Sequence, residues 1–151
     1  MVVLMVMYGC EAWTLKAEEE RRLQAFEDKC YRRITRIPYT EHRTTEYVWK
    51  RVDDICGAHP RLLSCVRERK LKWYGHICRH NSLAKTVLKG TVTVGRSRGR
   101  PRKRWNDNIE EWTGRTVGET LKLVKDRSVW RGIVKTSSIV IPRRPDDRSW
   151  D

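Results

Sequence analysis

Residues 61–79 read RLLSCVRERKLKWYGHICR, and the rest of the chain is understood from this stretch outward. Leu63, Val66, Trp73 and Ile77 recur at helical spacing, and Leu62, Tyr74 and Cys78 widen the stripe, so one long helix is predicted over 60–79. Its other faces carry Arg67, Arg69, Lys70, Lys72 and Arg79. A helix that packs on one side and is cationic on the other can lie along a phosphate backbone.

Upstream, Thr14 is a candidate N-cap, and Glu18, Glu19 and Glu20 fill a first turn, where carboxylates complement the helix dipole. Leu23, Phe26, Cys30, Ile34 and Ile37 then form one apolar face, stopped by Pro38. A further helix starts at Thr44 or Thr45 and runs to Ile55, with Tyr47, Val48, Val52 and Ile55 facing inward and Gly57 as its terminator. The opening apolar run from Met1 to Tyr8 is of strand or buried-helix type, and the chain is expected to be the end of something longer. Downstream, a short helix is predicted over 82–89. The alternation Thr91-Val92-Thr93-Val94 with Gly95 and Gly99 then breaks the helical period and leaves an extended arm. Helical spacing returns over 105–112 and 117–135, with Trp105, Ile109, Trp112, Leu121, Val124, Trp130 and Val134 as core candidates. The expected fold is mostly α: a helical bundle over 1–60, a basic helical segment over 61–89, an extended basic arm over 90–104, a small helical module over 105–135 and a loose tail over 136–151.

Charge is concentrated in the middle. The 151 residues include 33 Lys and Arg against 19 Asp and Glu, a formal +14. Residues 1–60 hold ten basic and ten acidic side chains and residues 105–151 hold nine and eight, whereas residues 61–104 hold fourteen basic side chains and one acid, Glu68. From Lys89 to Arg104 there is no acid at all. Such a run points to a polyanionic partner, because neutralised phosphates release condensed counterions. A mean hydropathy of −0.73 and the shortness of the Val2–Tyr8 run exclude a spanning helix. There is no secretory signal pattern, and five scattered cysteines read as reduced thiols, so a nuclear or cytoplasmic location is expected and secretion is not.

Within the arm, Arg98-Gly99-Arg100-Pro101 with Arg96, Arg102, Lys103 and Arg104 around it resembles the core of the AT-hook, an extended peptide of the minor groove. Glycine lets the backbone approach the groove floor, proline holds an extended φ, and arginines enter the negative potential of a narrow groove. Four blocks in order carry a wider resemblance: Tyr8-Gly9-Cys10-Glu11-Ala12-Trp13-Thr14-Leu15; Leu23-x-x-Phe26-x-x-x-Cys30-Tyr31-Arg32-Arg33-Ile34; Arg69-Lys70-Leu71-x-Trp73-Tyr74-Gly75-His76-Ile77-x-Arg79; and Arg98-Gly99-Arg100-Pro101-x-x-Arg104-Trp105-x-Asp107-x-Ile109. The series resembles the C-terminal part, thumb and downstream, of the endonuclease-reverse transcriptases of non-LTR (LINE-type) retrotransposons. The resemblance implies thumb-like helices first and then a region that helps hold template RNA or target DNA.

The active site of that family is not among these residues. Its polymerases use an aromatic-x-Asp-Asp box and a further aspartate to bind two Mg²⁺ ions. Here the adjacent acids are Asp53 and Asp54, with Arg51 two positions before Asp53, and they read as a surface pair at a helix end. No catalytic residue is assigned and no cofactor is expected in this chain; Mg²⁺ is expected only for a longer parent polymerase. Cys56-x-x-His59 and His76-x-Cys78-x-His80 have zinc-ligand types without a zinc-ligand pattern, so no metal site is assigned either. The expected function is nucleic-acid binding, RNA or DNA, through Arg67, Arg69, Lys70, Lys72, Arg79, Arg96, Arg98, Gly99, Arg100, Pro101, Arg102, Lys103 and Arg104. No membrane or small-molecule partner is expected. Two alternatives remain at this point: an independent AT-hook-like DNA-binding protein, and a non-functional relic of a decayed element.

Overall fold

The computed structural model describes residues 2–89 and 102–139, and all regular structure among them is helical, as the periodicity predicts. α1 (Val2–Met7) ends before Gly9, whose φ of 68° turns the chain into a 3-10 turn (Cys10–Ala12), and a second 3-10 turn spans Tyr39–Glu41. There follow α2 (Ala17–Thr35), α3 (Thr45–Cys56), α4 (Leu62–Arg79), α5 (Leu83–Lys89), α6 (Trp105–Thr113), α7 (Val117–Leu123) and α8 (Arg127–Ser137). None of these helices is long and apolar enough to cross a membrane.

Capping groups move several boundaries from where spacing alone puts them. The Glu19 carboxylate accepts the Lys16 amide N–H at 2.7 Å, so α2 starts at Ala17 and Thr14 is not its cap. Thr44 caps α3 as expected, its hydroxyl accepting from the Tyr47 amide. The helix predicted over 117–135 is two helices, because the Asp126 carboxylate accepts from the amides of Ser128 and Val129 and starts α8 afresh.

The predicted apolar face of α2 is rotated. Phe26 and Ile34 remain 39% and 65% exposed, whereas Glu27 is 5% exposed. The reason is electrostatic: the carboxylate of Glu27 accepts the Leu62 amide N–H at 2.9 Å, filling one of the orphan donors at the start of α4, and takes the Tyr31 hydroxyl at 2.6 Å. Burial, and then the neighbouring Glu27, push the Tyr31 phenol pKa up. Similarly, Val48 and Val52 are buried on α3, but Tyr47 and Ile55 are not. The Trp49 indole donates to Asp28 at 2.6 Å and fixes α3 on α2.

α4 runs through the middle. Leu63 and Val66 in its first half pack with Cys10 and Leu15, and Leu71 and Tyr74 in its second half pack with Ile109, Val124, Trp130 and Val134. Trp112 packs against both groups. These groups draw residues from both sides of positions 60/61 and 104/105. α8 crosses α4 at Gly75, where a Cβ would fall inside the van der Waals envelope of the Trp130 indole. That close approach lets the Trp130 N–H donate to the Leu71 carbonyl at 3.1 Å.

Two stability outcomes follow. Gly75→Ala must displace Trp130 and lower stability by roughly 3 kcal/mol. Glu27→Ala leaves a buried amide without its acceptor and should lose about 2 kcal/mol, with Glu27→Gln losing less because one carbonyl acceptor survives. Urea unfolding followed by Trp fluorescence checks both.

Candidate nucleic-acid interface

Among the cations expected on α4, Lys70 is the clearest correction. It is fully buried. Leu63, Val66, Lys70, Tyr74 and Ile77 are three or four residues apart, so Lys70 occupies a core position of its own helix. Its ammonium donates to the Trp13 carbonyl at 2.7 Å and to Asn108 Oδ1 at 2.9 Å, and it lies 4.4 Å from the Trp105 ring centroid and 5.2 Å from that of Trp112. Asn108 completes the arrangement by accepting the Leu15 N–H at 2.8 Å and donating to the Leu15 carbonyl at 2.7 Å. No phosphate can reach this group without unfolding the core.

The other predicted α4 cations are mostly engaged as well. Arg67 pairs with Glu20 at 2.7 Å and lies 5.2 Å from the Trp112 ring centroid, with 17% of its side chain exposed. Arg69 faces Glu11 at 3.4 Å and Lys72 faces Glu68 at 2.6 Å, both at more open positions. Arg79 is half-buried and donates to the Val124 carbonyl at 3.3 Å, and its Nε has no partner. Lys103 pairs with Glu111. Arg102 and Arg104 are exposed, and the Arg104 amide N–H is held by Asp107 at 2.7 Å. Arg96, Arg98, Gly99, Arg100 and Pro101 lie outside the described residues.

Folding instead gathers a cationic site that the charge count does not single out. Lys72, His76 and Arg79 on α4 face Arg127 and Arg131 on α8 across a cleft of about 410 Å³, which Trp130 and Val134 also line. Among the described residues no carboxylate lines it, and Glu68 reaches the Lys72 ammonium from one turn earlier on α4. The spacing explains the convergence: positions 72, 76 and 79 share one face of α4, positions 127 and 131 share one face of α8, and the missing side chain at Gly75 lets the two helices approach. The nearest acid in sequence, Asp126, is occupied by the α8 amides. His76 lies against His80, ring centroids 4.5 Å apart. By contrast, a larger cleft beside residues 102–103 mixes Lys16, Arg102 and Lys103 with Asp107 and Glu111. A third, lined by Trp13, Leu15 and Leu23 among others, is mainly apolar. Arg127, Arg131 and His76 were not among the residues expected from sequence, and the i, i+4 spacing of the two arginines beside Trp130 is the one linear signal of them.

The other groups weighed from sequence are placed elsewhere. His59 Nε2 lies 2.7 Å from the Tyr31 hydroxyl and its Nδ1 faces Asp53 at 3.0 Å, while Cys56 is exposed. Asp53 also pairs with Arg61 at 3.1 Å. Among the described residues, no group of three or more His, Cys, Asp or Glu is arranged to hold a metal ion.

Comparison with known proteins gives one informative likeness. A transposon-derived protein of Caenorhabditis elegans is 28% identical over 140 residues, an alignment covering 87% of this chain and 50% of that protein. The chain thus spans about half the length of the curated relative it matches. The likeness supports a transposon-related origin. No family model and no solved structure matches the chain.

Burial, with Lys103 adding repulsion and Glu20 opposing, pushes the Lys70 ammonium pKa down to about 7. The folded-state value lies below the free lysine value of 10.5, so between these two pH values the unfolded chain binds a proton that the folded chain has released. Stability should therefore rise with pH across that window. Lys70→Met, which keeps the stem and removes the charge, should flatten the rise. The difference between wild type and variant from neutral pH to about pH 9 is expected to be of the order of 1–2 kcal/mol, read by urea titrations.

Proposed function

We propose that this chain is a nucleic-acid-binding segment of a transposon-derived protein, corresponding to the C-terminal part of a LINE-type reverse transcriptase. In this reading it grips template RNA or target DNA, and polymerisation and nicking belong to residues other than these. The observation that carries the proposal is the carboxylate-free cleft of Lys72, His76, Arg79, Arg127 and Arg131 between α4 and α8. Two helices presenting cations toward each other suit a phosphodiester backbone, which offers negative charge at regular intervals. The four-block resemblance supports the same assignment, and the likeness to a transposon-derived protein supports its transposon-related origin alone. The acid-free run from Lys89 to Arg104 adds to the charge in sequence, with Arg98 and Arg100 as the groove-entering pair of the AT-hook-like arm.

The test is a salt titration of binding to a labelled DNA duplex and a labelled RNA by the full chain. Affinity should fall linearly on a log–log plot. Arg127→Ala with Arg131→Ala should weaken binding and make the slope shallower by about two, one for each lost phosphate contact. Equal affinity at low and high ionic strength would overturn the proposal, as would an unchanged slope in the double variant.

A further inference from the structure

The connection between α2 and α3 holds two residues other than glycine in the left-handed region, Arg36 (φ 55°) and His42 (φ 47°). Both close a helical turn, Arg36 donating its amide N–H to the Arg33 carbonyl and His42 to that of Tyr39. Glycine or asparagine is the ordinary occupant of such a position, because a Cβ is sterically penalised there. The chain instead places an arginine and a histidine at these points, both exposed. A side chain in this region costs backbone energy, and such strain clusters at functional sites.

What surrounds them is aromatic and cationic. Tyr39 is 66% exposed and Tyr47 is 46% exposed. Each ring has a guanidinium against it: Arg32 lies 5.1 Å from the Tyr39 centroid and Arg43 lies 5.1 Å from that of Tyr47. Arg32 is itself fixed by donating to the Arg43 carbonyl, which ties the two ring–cation pairs into one unit. The acids on this corner are Glu41, 3.8 Å from Arg43, and Glu46 in the first turn of α3. Against them stand four arginines, at positions 32, 33, 36 and 43. Asp28, one turn before Arg32, is occupied by the Trp49 indole.

We propose that this corner is a stacking platform for an unpaired nucleic-acid strand, with Tyr39 and Tyr47 taking bases and Arg36 and His42 meeting phosphates. An exposed ring backed by a guanidinium offers a π-face that any base can use, and in a paired duplex the base faces are already stacked on one another. The proposal rests on the nucleic-acid-binding reading given above, but the corner shares no helix with the α4–α8 cleft, so either site can fail without the other.

The experiment measures anisotropy of labelled oligo-dT and oligo-U strands with the full chain, alongside urea unfolding of each variant. Tyr39→Leu and Tyr47→Leu should each weaken single-strand binding about tenfold, the usual loss for one stacked base, while the unfolding midpoint stays close to wild type. Arg36→Gly should leave the midpoint unchanged or higher and still weaken binding severalfold, a combination that a purely structural corner cannot give. Arg127→Ala with Arg131→Ala, run in parallel, reports on the cleft alone. The proposal is overturned if the folded Tyr39→Leu, Tyr47→Leu double variant binds single strands as wild type does, or if wild type binds no unpaired strand. A preference for oligo-U over oligo-dT, or the reverse, assigns the platform to RNA or to DNA.

Discussion

A single buried lysine head group joins two distant parts of this chain across α4. Lys70 donates to a carbonyl from the irregular segment before α2 and to a side chain of α6, and the indoles of Trp105 and Trp112 lie beside it. Its desolvation is unfavourable, and hydrogen bonds and ring faces from two separate parts of the chain, the segment around Trp13 and α6, offset it only in part. Because Asn108 also exchanges two hydrogen bonds with the backbone of Leu15, that segment is paired without any strand beside it. Remove one partner and the others are left buried without acceptors or donors, which makes the node cooperative in the sense of an all-or-none network.

Three of the four sequence blocks meet at this node: Trp13 and Leu15 from the first, Lys70 from the third and Trp105 from the fourth. In this structure, then, much of what those blocks encode is the fold. The cationic surplus of residues 61–104 divides accordingly. Part of it is internal, in Lys70 and in Arg67 against Glu20, and part is balanced by Glu11, Glu68 and Glu111 from the flanks and from α4 itself. Among the described residues, an open positive surface lies where α8 adds Arg127 and Arg131 to α4.

The helices were legible in sequence, because apolar periodicity and capping residues act locally. The helical spacing located α3 and α4 closely, and Gly57 and Thr44 marked the limits of α3. What was not legible depends on contacts between distant residues. The rotation of α2 is set by Glu27 reaching a backbone amide 35 residues away. A lysine in a helical stripe reads as surface unless one sees that the 66-70-74 spacing places it among core positions. The α4–α8 cleft was hidden for the opposite reason: residues 105–151 are nearly neutral in total, and only folding sets two of their arginines against three basic side chains of another helix.

The hydrogen bonds between Leu15 and Asn108 span 93 residues, and this separation bears on the order in which the molecule can form during synthesis. A nascent chain that has emerged only as far as α5 can build α2, α3 and the first half of α4. It has the Trp13 carbonyl to receive the Lys70 ammonium, but neither Asn108 nor the indoles of Trp105 and Trp112. Tertiary closure must wait for α6, and the indoles that shield the ammonium arrive with it. Any product truncated before Trp105 would therefore emerge with helices but without a sealed interior, and would be a natural target for degradation.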